Sequence, residues 1–168
     1  MTPTGTVEAI FVAARGGAPM QPVERIEVDH AGILGDRYRE RTGHWTAVDE
    51  CQVTLIAGEA LDEIEATTGI RVGEGQHRRN IVMRGVVLRD LAGTRFSLGS
   101  AVFEYDRPRP PCRYIESITE PGMTRALAAR RGGICVRVVE PGAVEVGARL
   151  EVVGEAERGP SILRRILR

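Results

Sequence analysis

Lysine is missing from this 168-residue chain, so all 23 of its basic residues are arginines. Without a side-chain amine there is no internal aldimine with pyridoxal phosphate, covalent pyridoxal phosphate is excluded, and no lysine nucleophile is available. Genomic base composition is sufficient to produce such a bias, and the exclusion holds whatever its origin. Any excess of positive charge is missing as well: 23 acidic residues balance the arginines, the sequence pI is near 6.8, and no nucleic-acid partner is expected. No apolar run approaches the roughly 20 residues needed to cross a bilayer, so no membrane span is expected. The N-terminus carries no charged segment followed by a signal-length apolar core. Three irregularly spaced cysteines make a disulfide framework implausible, and a cytoplasmic protein with reduced thiols is the expectation. His30, His44 and His77 are scattered, and C-x-x-C, G-x-G-x-x-G, P-loop and G-x-S-x-G patterns are absent. Zinc sites, nucleotide hydrolysis and serine-hydrolase chemistry lose their usual supports.

What is present is a succession of short strands. A chain of this length fits one domain with a sizeable core. Strand-like spacing predicts strands over residues 5–14 and 22–28, joined by Gly16-Gly17-Ala18-Pro19, and over 52–56, 80–83, 95–98, 101–105 and 134–138. Gly99-Ser100 marks one hairpin, and residues 144–152 read as a second built around Gly147. Two helices are predicted. The first covers 58–67, with Leu61 and Ile64 on one face and Gly69 as its stop; the second covers 121–130, capped near Thr119 or Glu120 and ended by Gly132-Gly133. Many strands with few helices point to a mainly β protein, a closed or nearly closed β-barrel with connecting helices. The barrel domain is expected over residues 1–153, followed over 154–168 by a polar linker and a short basic amphipathic tail.

Chemistry concentrates in three segments. Cys112 follows Pro110-Pro111 and sits among Arg107, Arg109 and Arg113. The prolines present it from a stiff connection outside any helix interior. Neighbouring guanidinium charge favours thiolate, the form that attacks electrophiles, carries persulfide sulfur or ligates a soft metal. The competing reading is a small buried apolar residue, which is also the expectation for Cys51 and Cys135. The second segment, Gln76-His77-Arg78-Arg79-Asn80, gathers donors suited to an anion or a heterocycle edge; read alone, it is equally a solvated turn. The third is the long connection from Gly32 to Trp45, whose Asp36 and Arg37 either serve a ligand or pair with each other to order the loop.

Taken in order, Gly32-Ile-Leu-Gly-Asp-Arg-Tyr38, Gln52-Val-Thr-Leu-Ile56 with Glu59-Ala60, His77-Arg-Arg-Asn-Ile-Val82, Gly99, Arg109-Pro-Pro-Cys112 and Arg131-Gly-Gly-Ile-Cys-Val136 resemble the MOSC domain family. This is the domain found at the C-terminal end of molybdenum cofactor sulfurases, in the mitochondrial amidoxime-reducing component, and as small stand-alone bacterial proteins. The resemblance covers residues 5–153. It implies a β-barrel, a molybdopterin-type molybdenum cofactor, and a cysteine matching Cys112 that serves as molybdenum ligand or persulfide carrier. Arg78, Arg79 and Asn80 match the family's arginine and asparagine motif and would bind the cofactor's phosphate or pterin. Together with Asp36, Arg37 and Arg109 they form the candidate cofactor-binding set. The implied activity is reduction of N-hydroxylated compounds with an electron-transfer partner, or sulfur transfer from a sulfur-donor protein. The alternative is a non-catalytic module that binds or delivers the cofactor.

Overall fold

The computed structural model describes residues 1–44 and 50–157; Trp45 and the basic tail from residue 158 onward lie outside the described residues. Seven strands close a barrel in the order β1 (Gly5–Val12), β6 (Ile81–Arg84), β5 (Val53–Ala57), β9 (Ile134–Glu140), β8 (Ala101–Pro108), β7 (Thr94–Leu98) and β11 (Arg149–Glu155). The pairing Gly5↔Leu150 and Thr6↔Arg149 closes the ring. Closure removes the sheet edges that would otherwise template aggregation. β2 (Gln21–Val23) extends the sheet beside β1, while β10 (Gly142–Glu145), β3 (Arg25–Asp29) and β4 (Gly32–Ile33) form a separate three-stranded sheet.

Among the described strands only β5 and β6 run parallel, which requires a crossover, and α1 (Gly58–Thr68) supplies it. α1 buries Leu61 and Ile64, and its C-cap Gly69 at φ 70° donates its N–H to Glu65 O, as the sequence predicts. Two apolar layers result. Inside the barrel, Val7, Leu55, Ile81, Phe96, Phe103 and Val136 pack together, with Phe96 and Phe103 directly opposite each other across β7 and β8 at 5.9 Å. Outside, Phe11, Ile56, Ile64, Val82, Ile115 and Met123 form a second layer that seats α1, α2 (Arg113–Ser117) and α3 (Met123–Ala126) on the barrel wall. Among the described residues no helix is long and apolar enough to cross a membrane.

Three expectations are corrected. The helix expected over 121–130 is not formed: α3 has four residues, because Gly122 at φ 90° precedes it and Ala129 and Arg130, both left-handed, turn the chain back after it. Neither Thr119 nor Glu120 caps a helix, and Thr119 Oγ1 instead donates to Ile115 O. The hairpin expected over 144–152 has its two strands but not their pairing. β10 pairs β3, whereas β11 joins β1 and β7. Gly147, at φ 91°, lets the chain cross between sheets while its N–H donates to Val7 O. Finally, the strand expected over 22–28 is broken at Glu24, its halves belonging to different sheets.

Among the glycines, Gly133 makes the closest backbone approach, with Gly132 beside it. A Cβ on Gly133 would stand 2.1 Å from Leu55 O, and its φ of 87° disfavours any side chain. Gly133→Ala is expected to lower stability by about 2 kcal/mol or more, from left-handed strain plus overlap with β5. Chemical denaturation measures it, and an unchanged midpoint would contradict this account of the junction.

Candidate functional site

Four stretches of chain meet beside the outer apolar layer around a cleft of about 330 Å³: the β1–β2 turn at Gly16, the connection after β4, the arginine loop before β6, and the proline segment leading from β8 into α2. What holds the first three together is buried. Asp36 Oδ1 accepts hydrogen bonds from Ala13 N at 3.1 Å and from Asn80 Nδ2 at 3.2 Å, and pairs with Arg37 at 3.2 Å; its Oδ2 accepts from Tyr38 N. Asn80 completes the knot by accepting from Thr54 N and Oγ1 through Oδ1 and donating from Nδ2 to Phe11 O. All four bonding directions of its amide are thereby occupied within the protein.

The knot aims arginines outward. Arg37, Arg78, Arg79, Arg107 and Arg109 line the cleft, and no carboxylate does among the described residues. Arg37 donates to Arg78 O at 2.9 Å and lies 4.5 Å over the Tyr38 ring. Arg78, at φ 62°, reaches back to Ala18 O. Arg79 donates from Nε to Gly132 O at 2.7 Å and from one terminal nitrogen to Arg109 O at 3.3 Å, and Arg109 in turn donates to the Tyr38 hydroxyl at 3.0 Å. Arg78 and Arg79 are buried, and neither has a carboxylate partner among the described residues. Burial, with Arg37 close by, pulls the Arg78 pKa down to about 10. Arg79 shifts the same way, through burial and then Arg109. Buried charge without a counter-charge is costly, so the arrangement favours an anion entering the cleft.

Cys112 lies on the rim, exposed, as the N-cap of α2 with extended φ and ψ of −127° and 168°. Its carbonyl accepts from Ile115 N and Thr124 Oγ1, which fixes the backbone that carries the sulfur. Cys51 and Cys135 are buried, and Cys135 sits in β9. Also lining the cleft, Tyr114 stacks on His44 with ring centroids 3.8 Å apart.

Of the residues expected from sequence, Arg37, Arg78, Arg79, Arg109 and Cys112 are brought to one cleft. Asp36 and Asn80 face inward and hold those side chains in place. Tyr38, Tyr114 and His44 also line the cleft; the sequence signals them only by aromatic character within connections and, for Tyr38, by its place at the end of the motif over residues 32–38.

Comparison with known proteins decides the family, because the MOSC domain sequence profile matches residues 40–151. The chain belongs to the MOSC domain family. Solved structures agree on the fold. The YuaD protein from Bacillus subtilis is 21% identical with a TM-score of 0.74, the alignment covering 91% of this chain and 97% of that one. YiiM from Geobacillus stearothermophilus is 19% identical with a TM-score of 0.71, covering 89% and 75%. YiiM from Escherichia coli is 18% identical with a TM-score of 0.63, covering 95% and 73%. A search of curated proteins finds no significant match.

Within this MOSC domain, burial sets the protonation state of His77. It is fully buried, and its Nδ1 accepts from Arg79 N at 2.9 Å, which assigns the ring proton to Nε2. Nε2 has no hydrogen-bond partner among the described residues, and the ring meets Phe11 edge-on at 5.2 Å. Burial, then Arg79, Arg78 and Arg37, hold its pKa down to about 3, against an ordinary 6.5. The neutral ring is therefore the native one. Its contribution to stability is complete above pH 6.5 and is lost as pH falls toward 3, at about 1.4 kcal/mol per pH unit. His77→Gln is expected to remove this part of the acid sensitivity in denaturation profiles between pH 6.5 and 3. Identical slopes in the two proteins would exclude the assignment. Thiol labelling offers a second check: iodoacetamide on native protein is expected to modify Cys112 well ahead of Cys51 and Cys135, and mass spectrometry that found either buried thiol labelled first would contradict the burial.

Proposed function

We propose that this MOSC protein binds a molybdopterin-type molybdenum cofactor in the arginine cleft and uses Cys112 at its metal end. The observation that carries the reading is the pair of buried guanidinium groups, Arg78 and Arg79, which face the cleft without a carboxylate partner among the described residues. A phosphate-bearing ligand supplies the charge they lack, and the guanidinium fork suits its oxygens. Arg37 and Arg109 add donors beside them, with the Tyr38 hydroxyl accepting from Arg109 and restricting its rotamers. The cleft volume lies at the lower end of the small-molecule range, about 300–1,000 Å³.

Among the described residues no three His, Cys, Asp or Glu side chains gather as a metal site. A metal carried by its own organic dithiolene, with one added protein sulfur, is the arrangement such a cleft accommodates. Cys112 is the accessible soft donor on the rim. What the cofactor supplies when bound is a redox-active metal suited to two-electron reduction of N-hydroxylated compounds. The protein's own part is to neutralise the phosphate, to orient the ligand from Arg79 toward Cys112, and to present the sulfur from a connection that Pro110 and Pro111 stiffen. Exposure of Cys112 also suits a persulfide handed to or from a partner, and sulfur carriage is the second reading.

The test is expression in a host that synthesises the cofactor, followed by molybdenum and pterin analysis and turnover of an N-hydroxylated base with reduced viologen as electron source. Arg79→Ala is expected to lower cofactor content about tenfold or more while the thermal midpoint stays close to that of the parent. Cys112→Ser is expected to keep the fold and reduce turnover to background, because oxygen is a harder ligand and a hydroxyl holds no persulfide. Wild-type protein free of molybdenum and pterin would reject the cofactor reading. Full turnover in the serine variant would reject both roles of the sulfur.

A further inference from the structure

Several arginines at the surface are paired: Arg25 with Glu145, Arg71 with Glu74, Arg84 with Glu8 and Asp62. A group without such partners among the described residues lines one groove. Arg113, Arg125 and Arg130 are exposed, with Arg131 beside them, and none of the four forms an ion pair among the described residues. Residues 107–131 hold six arginines and two glutamates in a chain whose net charge is zero, so the compensating negative charge lies elsewhere on the molecule.

Arg113, Arg125 and Arg130 border a second groove, of about 690 Å³, which shares Pro108, Arg109, Pro110 and Pro111 with the cofactor cleft. The proline segment is the wall between the two, and Cys112 follows it directly. Among the groove's lining residues the only carboxylate is Glu116, which accepts from Thr124 N at 3.0 Å. Arg130 is displayed by a turn in which it and Ala129 hold left-handed φ values of 72° and 53°. The Arg131 guanidinium secures that turn by donating to Ala128 O and Arg125 O.

Burial separates the two sets of arginines. Arg78 and Arg79 act at short range on a ligand removed from water. Exposed guanidinium groups spread along an open groove hold a small anion weakly in water, but their summed field reaches about a Debye length, 8–10 Å, and steers a macromolecule that carries several carboxylates. We propose that this groove is the docking surface for a small acidic electron-transfer protein, one with carboxylates around the edge of its redox group, which it brings up against the proline wall next to Cys112. The inference rests on the reading of Cys112 as the working end of the cofactor cleft.

Flavodoxin serves as the acidic probe. Titrating isotope-labelled protein with it at about 20 mM salt is expected to perturb amide resonances around Arg113, Thr124, Ala128 and Arg130, with affinity falling about tenfold at about 200 mM salt. The double variant Arg125→Glu with Arg130→Glu is expected to weaken association about tenfold without moving the thermal midpoint. Should that variant fold poorly, Arg113→Gln with Arg125→Gln takes its place, with a smaller loss in the same direction. No association at low salt, perturbations centred elsewhere, or binding indifferent to charge reversal would each overturn the proposal. Molybdenum and pterin content of the same samples reads the cofactor proposal separately. Docking by metal-free wild-type protein would leave the surface standing and remove the cofactor, whereas normal metal content without docking would do the reverse.

Discussion

The buried Asp36 carboxylate is the constraint on which the site depends. It ties together three segments remote in sequence: the end of β1 through Ala13 N, the connection after β4 through Arg37 and Tyr38, and the start of β6 through Asn80. A buried carboxylate is tolerated only when its lone pairs are taken up, and here four donors take them. Losing it would leave Arg37 buried without its counter-charge and Ala13 N without an acceptor. Breaking a buried ion pair in this way typically costs about 3–5 kcal/mol. The Arg37 guanidinium, anchored by the carboxylate, is also the donor to Arg78 O, so the same knot sets the backbone from which the next two arginines leave.

The electrostatic arrangement is asymmetric by construction. Along β8 and β9, Arg137 bridges Glu104 and Asp106, and Arg95 also reaches Glu104, so charges there answer one another. At the cleft the same residue type is left without carboxylates at Arg78 and Arg79. A sequence selected for stability alone would pair or neutralise them. Local violations of this kind are expected at functional sites.

Much of the architecture is legible in the chain. Alternation marks β7 and β8, Gly99 sits at their turn, and Leu61, Ile64 and Gly69 define α1, because each signal is local and needs only near neighbours. The failures are non-local. Nothing in residues 144–152 distinguishes a hairpin from two strands sent to different sheets; that choice is made by β1, which accepts Gly147 N and pairs Leu150. The segment over 121–130 has helical composition, yet its end must return to pack against β5, and tertiary closeness overrides propensity there. At the site, residue types were legible but direction was not. Asn80 and Arg79 are adjacent donors in one motif, and only burial shows that the amide turns inward to Thr54 and Asp36 while the guanidinium turns toward the cleft.

The position of Cys112 then follows from where the backbone on either side of it is tied down. Gly133 O accepts from Arg109 N at 2.8 Å, and Gly132 O accepts from Arg79 Nε at 2.7 Å, so two consecutive carbonyls hold the proline segment and the arginine loop against the same point of the barrel wall. Those carbonyls reach that point because neither glycine carries a Cβ: one on Gly132 would stand 2.4 Å from Arg109 O. From Arg109 the chain has two prolines, each with φ near −65°, before the cysteine, and α2 begins immediately after it. The sulfur therefore sits a short, stiff distance from a rigid barrel strand on one side and a helix on the other. A side chain carried by locked neighbours on both sides keeps a defined distance from the arginines of the cleft, which is what separates a preorganised group from one on a free loop.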